Sequence, residues 1–261
     1  MTRVLSGAVL IAVAVAVVWF APPWLFLGFG VLIAALGVNE LVVLARASQL
    51  DVSLWPVLAA TLLTMVVVGS PARYPLDVAL MSALVALGLV ALGSWRGGSA
   101  ALASVAASLF PALYIGLPVG ALVAIRTIGG ARALFLLMLT VIVSDTAQYY
   151  SGRAFGRRPL APVVSPKKTI EGAVGGAVFG TALFAAVGMW WLPAMPGSFR
   201  IVLGLTLVVL GIAGDLFESM LKRSAGVKDS SSLIPGHGGI LDRIDALLFA
   251  APVYYIVLRY V

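Results

Sequence analysis

The chain contains no cysteine and a single histidine. The first absence excludes disulfide frameworks, thiolate zinc sites, iron–sulfur clusters and thiol nucleophiles. The second excludes a multi-histidine metal centre. Charge is scarce as well: 10% of the 261 residues are Asp, Glu, Lys or Arg, where a soluble domain carries roughly 25%. Hydrophobic residues make up 62% of the chain and the mean hydropathy is +1.11. Such a composition cannot cover a water-facing surface, so most of the chain must face lipid. Disorder, coiled coil and collagen are excluded by the same numbers. The net charge of +7 would point to nucleic acid in a soluble protein. Here it fits basic cytoplasmic loops and a phosphate-bearing ligand, with no nucleic acid.

About 20 apolar residues cross the hydrocarbon core as a helix. The sequence predicts an all-α polytopic membrane protein with nine such spans: 4–20, 24–45, 54–70, 76–94, 100–125, 133–151, 172–192, 201–222 and 241–259. Prolines and glycines supply the breaks, at Pro22–Pro23, Ser70–Pro71, Arg96 to Gly98, and Pro193 to Pro196. Pro111 and Pro118 predict a break or kink inside the fifth span. The first span follows a short basic start, as in a signal peptide. Ala21–Pro22–Pro23 is a poor cleavage site and another span follows at once, so the helix is expected to be retained.

Basic residues set the orientation. With the N-terminus in the cytoplasm, Arg3, Arg46, Arg96, Arg153, Arg157, Arg158, Lys167, Lys168, Lys222, Arg223, Lys228 and Arg243 fall inside. Only Arg73, Arg126, Arg132, Arg200 and Arg259 fall outside. The two longest polar loops, 152–171 and 223–240, then share the cytoplasmic side. The expected organisation is a scaffold of transmembrane helices over 1–125 and a catalytic transmembrane region over 126–261 carrying both loops.

The ten acids are unevenly placed: seven of them lie between 145 and 245. An acid at mid-membrane costs about 2.5–3.5 kcal/mol on insertion scales and implies a function by default. Glu40, beside Asn39 near a helix end, is read as reaching the headgroups. Asp215, Glu218, Ser219 and Lys222 follow one another at i, i+3, i+4 and i+7, so one helical face carries all four. A Glu218–Lys222 pair would ease burial but leave Asp215 for a cation. Downstream, Pro235–Gly236–His237–Gly238–Gly239 precedes a helix start, where unbonded backbone N–H groups and the helix dipole suit a phosphate. Asp242 and Asp245 open that helix on one face. Acids beside a phosphate site repel it unless a metal intervenes, and Mg²⁺ takes carboxylates together with substrate phosphates. Asp215, Asp242 and Asp245 therefore read as a Mg²⁺ set, with Lys222, Arg223, Lys228 and Arg243 placed for phosphates. Asp145, with Ser144 and Gln148, interrupts the sixth span. After it come Arg157, Arg158, Lys167 and Lys168, and Thr169 followed by Glu171 offers helix-start chemistry.

The run Ser219-Met-Leu-Lys222-Arg223, four residues, Lys228-Asp229-Ser-Ser231, then Ile234-Pro235-Gly-His237-Gly238-Gly239-Ile240-Leu-Asp242-Arg243-Ile244-Asp245 resembles, without a gap over 27 residues, the pattern of the phosphatidate cytidylyltransferase (CDP-diacylglycerol synthase) family. Ser144 to Arg153 and Ser165 to Gly172 are similar to that family's upstream motifs. The resemblance covers roughly 140 to 250; the first 125 residues match only in character. It implies transfer of CMP from CTP to phosphatidic acid, with Mg²⁺ required and a monovalent cation such as K⁺ associated with the metal centre. It also implies several transmembrane helices, membrane-lipid contact, a homodimer, and a polar cavity on the cytoplasmic face of a bacterial inner membrane. Asp215 and Asp242 match the metal-binding acids. Asp245, Lys222, Arg223 and Lys228 match further functional positions.

The lipid phosphate has a second pKa near ~6, so it attacks without a general base. That fits a chain with one histidine, and makes His237 a loop or phosphate contact. Lys167, Lys168, Ser219, Lys228, His237, Gly238, Gly239, Arg243 and Asp145 are thus expected at the substrate. Catalysis falls to Asp215, Asp242, Asp245, Lys222 and Arg223. A CTP-dependent lipid kinase and a polytopic transporter are the alternatives. The D-G-x-x-A-R pattern of CDP-alcohol phosphotransferases is absent.

Overall fold

The computed structural model describes residues 2–70, 75–97, 99–231, 233 and 238–261, the side chains of 2–6, 8 and 10 excepted. Each of the nine expected segments is helical. The helices are α1 (Thr2–Phe20), α2 (Pro23–Ala47), α3 (Leu54–Gly69), α4 (Leu76–Ser94) and α5 (Ala101–Pro111). A π turn (Ala112–Gly116) carries α5 into α6 (Leu117–Ile128), followed by α7 (Gly130–Phe155), α8 (Ile170–Trp191), α9 (Gly197–Ser224) and α10 (Leu241–Tyr260).

Among the described residues, six helices are long and apolar enough to cross a membrane: Pro23–Ala47, Leu76–Ser94, Ala101–Ile128, Gly130–Phe155, Ile170–Trp191 and Gly197–Ser224. This is the architecture of an integral membrane protein. Leu54–Gly69 and the described apolar part of α1, Ile11–Phe20, are shorter. The start of α10 carries Asp242, Arg243 and Asp245. The chain is not all helix: two short strands, β1 (Pro159–Ala161) and β2 (Ser165–Thr169), form an antiparallel hairpin within the expected 152–171 loop.

The chain divides into two compact units, Met1–Thr127 with Leu221–Arg243, and Ile128–Met220 with Ile244–Val261. In the first, α3 packs against α2, α4 and the π turn. Glycines permit the approach: a Cβ on Gly116 would stand 2.8 Å from the Thr61 carbonyl, and one on Gly120 2.6 Å from the Met65 carbonyl. Buried Thr61 and Thr64 donate back to Val57 O (2.8 Å) and Ala60 O (2.9 Å), so neither hydroxyl is left unpaired on α3. The segment with Pro111 and Pro118 does not break. The Leu117 N–H donates five residues back to Ala112 O, and this wider turn falls immediately before Pro118, which has no N–H to give.

In the second unit α7 and α8 run antiparallel with their backbones close together. Gly172, Gly176 and Gly180 form a stripe four residues apart along α8. Cβ atoms there would meet Gln148 O at 2.8 Å, Gln148 Cγ at 2.5 Å, and Val208 Cγ2 at 2.6 Å. Small residues at this spacing are the usual device for close helix contact in lipid. Thr169 caps α8, accepting from the Gly172 N–H at 3.1 Å, as its place in the sequence predicts. Glu171 accepts instead from the backbone N–H groups of Arg157 (3.0 Å) and Arg158 (3.2 Å), which ties the base of the hairpin to α8. Phe184 of α8 meets Tyr254 of α10 edge to face, with ring centroids 5.8 Å apart.

Candidate active site

The second unit gathers acids at one place. Gly214 brings α9 against α10 closely enough that a Cβ there would stand 2.5 Å from the Asp245 carbonyl. Asp215, the next residue, thereby comes near Asp245. Asp145 of α7 joins them: Asp145, Asp215 and Asp245 are close enough to repel one another, and Glu218 adds to the field at Asp245. The compensating cation comes from β2. Lys168 Nζ lies 2.5 Å from Asp215 Oδ2, and Ser219 Oγ donates to Asp215 Oδ1 at 3.4 Å, one helical turn on. Gln148 Nε2 donates to Asp145 Oδ1 at 2.9 Å and to Ser144 Oγ at 3.3 Å. Asp145 is exposed, while Asp215 and Asp245 are half-buried.

The first unit holds a second, tighter pair. Lys222 Nζ lies 2.5 Å from Asp242 Oδ1, and both side chains are less than one-tenth exposed. The other oxygen of Asp242 faces three donor atoms, Ser230 N (3.1 Å), Gly239 N (2.8 Å) and Ser230 Oγ (2.8 Å), the last shared with Glu40. Gly238 has φ of +77°, a conformation that favours glycine, and a Cβ there would meet Asp242 Oδ2 at 2.6 Å. A Cβ on Gly239 would collide with the Glu40 carboxylate and Ser230 Oγ.

One expectation is corrected here. Glu40 does not reach for headgroups. It is 3% exposed and accepts four hydrogen bonds, from Ser231 Oγ (2.7 Å) and Ile240 N (2.9 Å) on Oε1, and from Ser230 Oγ (2.8 Å) and Leu241 N (2.9 Å) on Oε2. At the end of the glycine-rich turn, the amides of Gly239, Ile240 and Leu241 are taken by Asp242 and Glu40. A buried carboxylate needs such donors to offset its desolvation, and the N-terminus of α10 supplies them. Sequence reasoning had no route to Glu40, because its partners lie 190 to 201 residues away. The same holds for Ser230. The glycine stripe of α8 was readable from its spacing of four.

Of the remaining expected residues, Lys167, Lys228, Arg223 and Arg243 are exposed, and Arg223 donates to Val227 O at 2.9 Å. His237 lies outside the described residues. Among the described residues no group of three or more His, Asp or Glu is arranged to hold a metal ion. Asp215 and Asp245 come together in the second unit, and Asp242 belongs to the first. The donor set nevertheless suits a hard cation. The side chains offer carboxylate oxygens, and Asp215 and Asp242 each face a lysine ammonium.

Comparison with known proteins identifies the family. A phosphatidate cytidylyltransferase of Helicobacter pylori is 37% identical over 179 residues, 68% of this chain and 63% of that protein. One of Aquifex aeolicus is 43% identical over 126 residues, 48% of this chain and 46% of that protein. One of Thermotoga maritima is 45% identical over 139 residues, 51% of each. The matched regions thus span about half to two thirds of these relatives. The Cytidylyltransferase family profile, by contrast, matches residues 1–261. The chain belongs to the Cytidylyltransferase family.

Proposed function

We propose that this chain is a phosphatidate cytidylyltransferase, making CDP-diacylglycerol and pyrophosphate from CTP and phosphatidic acid. The observation that carries the reading is the family match over the whole chain, joined to the carboxylate–lysine pairs Lys168–Asp215 and Lys222–Asp242. An oxygen of the lipid phosphate bonds to the α-phosphorus of CTP. The bond from that phosphorus to the β-phosphate oxygen breaks, and pyrophosphate leaves with the electron pair.

The nucleophile is already an anion, so the protein's work is alignment and charge balance. Mg²⁺, held by Asp215, Asp242 and Asp245 and accompanied by a monovalent cation such as K⁺, would neutralise charge on the CTP phosphates. Lys168 and Lys222 would bind phosphate oxygens once their carboxylates take a metal. Lys167, Arg223, Lys228 and Arg243, exposed on the hairpin and around the 223–240 loop, would hold the outer phosphates, and Asp145 and Ser219 would contact substrate. His237, Gly238 and Gly239 would contact substrate or shape the turn.

The site would face the cytoplasm of a bacterial inner membrane, with a homodimer in the bilayer and both substrates and surrounding lipid as its partners. A cysteine replacing Val163, 89% exposed near the hairpin turn, tests the side. It should resist an impermeant thiol reagent in intact cells and react in inverted vesicles. The chemistry is tested by incubating purified chain with CTP, phosphatidic acid and Mg²⁺ and detecting both products. Release of CDP in place of pyrophosphate would identify a kinase and overturn the proposal.

A further inference from the structure

We infer that Glu40 of α2 is a positioning residue that holds Asp242 in register by clamping Ser230 and Ser231 together with Ile240 and Leu241. Asp242 and Glu40 grip the same turn. Ser230 Oγ stands 2.8 Å from Glu40 Oε2 and 2.8 Å from Asp242 Oδ2, and its one proton can serve only one of them at a time, so its orientation couples the two. The amide of Gly239 goes to Asp242, and the next two, Ile240 and Leu241, go to Glu40. The amides of Ser230 and Gly239 hold Asp242 Oδ2, joined by Ser230 Oγ when its proton turns that way, which leaves Oδ1 as the oxygen that meets a cation, here the Lys222 ammonium. The direction of Oδ1 therefore depends on where the turn sits, and the turn is held by a carboxylate from a different part of the chain. Both oxygens of Glu40 are engaged by fixed backbone N–H groups, so its geometry is not interchangeable with that of an amide. In Glu40→Gln one oxygen becomes an NH₂ facing the N–H of Ile240 or Leu241, and donor opposes donor. The serines can rotate away; the backbone cannot.

The activity arm of the test rests on the proposed cytidylyltransferase reading, and the exchange arm does not. Amide hydrogen exchange at Gly239, Ile240 and Leu241 is measured on the full chain in lipid nanodiscs, for wild type, Glu40→Gln and Glu40→Asp. CTP-dependent pyrophosphate release per folded molecule is measured on the same samples. In Glu40→Gln, exchange at Ile240 and Leu241 should quicken and turnover should fall on the order of 10- to 100-fold, the range expected for lost charge-assisted hydrogen bonds. Glu40→Asp keeps the charge and should recover part of both. Unchanged exchange in Glu40→Gln overturns the inference whatever the activity. So does faster exchange with wild-type turnover per folded molecule, which would make the clamp purely structural. Increased turnover would also overturn it, marking Glu40 as a carboxylate that substrate must displace. If wild type shows no CTP turnover, the functional proposal falls and exchange alone decides this one. Should Glu40→Gln not fold, Ser231→Ala removes one of the four bonds and must still quicken exchange at Ile240, or the inference fails.

Discussion

The two carboxylate–lysine pairs look alike in distance and differ in setting. Lys222 and Asp242 are 9% and 8% exposed, and three donor atoms face the far oxygen of Asp242. Lys168 and Asp215 are 23% and 29% exposed, and Asp215 has two further acids near it. The first is a closed arrangement in which charge is matched by built-in donors. In the second, acids outnumber the cation that serves them. A group of carboxylates that outnumbers the lysine among it is strained by mutual repulsion, whereas a matched one can hold a loop in place. Equal N–O distances thus conceal different settings, and exposure together with the count of competing acids separates them.

Removing divalent cation tests the unmatched cluster most severely. Excess chelator should abolish CDP-diacylglycerol formation, and Mg²⁺ should restore it; full activity in chelator would return Asp215, Asp242 and Asp245 to a structural role. Next in size is Asp215→Asn. The volume is kept and the charge lost, and an uncharged side chain inserts more readily than Asp. The protein should accumulate normally, yet turnover should drop by orders of magnitude, because phosphoryl chemistry rests on electrostatic positioning. Glu218→Gln on the same helix should cost less. Near wild-type turnover in Asp215→Asn at low Mg²⁺ would show that Asp215 is no metal ligand.

The closed pair should dominate stability instead. Lys222→Met strands a buried carboxylate, and breaking such a pair costs about 3–5 kcal/mol. Lys168→Met removes a partly solvated partner, for which about 1 kcal/mol or less is expected. Thermal midpoints of both variants in nanodiscs measure the difference. Equal shifts would erase the distinction between the two settings.

Much of this was legible before folding and some was not. The helices follow from apolar runs that prolines and glycines end, so the predicted 54–70 and 76–94 appear as Leu54–Gly69 and Leu76–Ser94. The hairpin was hidden because Pro159, Pro162 and Pro166 punctuate it and its lysines give no period-two pattern. Asp215 and Ser219 share a face by spacing alone and are found hydrogen-bonded. That Lys222 turns to Asp242, and that Glu40 closes on a loop some 190 residues later, are facts of tertiary packing that no local pattern carries. The polar half of the sequence announced the acids. The apolar half concealed the one carboxylate that fixes how Asp242 is presented.

Helix N-termini sharpen the comparison on its smallest scale. α10 is capped from afar by Glu40, while α8 is capped by its own Thr169, three residues before the amide it serves. The local cap needs no loop to be held and adjoins Lys168, the lysine of the open pair. Thr169→Ala removes one neutral acceptor and a methyl group lying among Gly152, Gly156 and Gly172. Such a loss costs about 1 kcal/mol. In a chain of this size that corresponds to a fall of about 2–4 °C in thermal midpoint. Thr169→Ser keeps the acceptor and should recover most of it. Because Lys168 precedes the cap, Thr169→Ala should also loosen the lysine that competes with metal for Asp215, seen as a modest fall in the Mg²⁺ concentration needed for half-maximal turnover. A loss in Thr169→Ala as large as that in Lys222→Met would mean that the open site depends on its frame as heavily as the closed one, and the contrast between them would no longer stand.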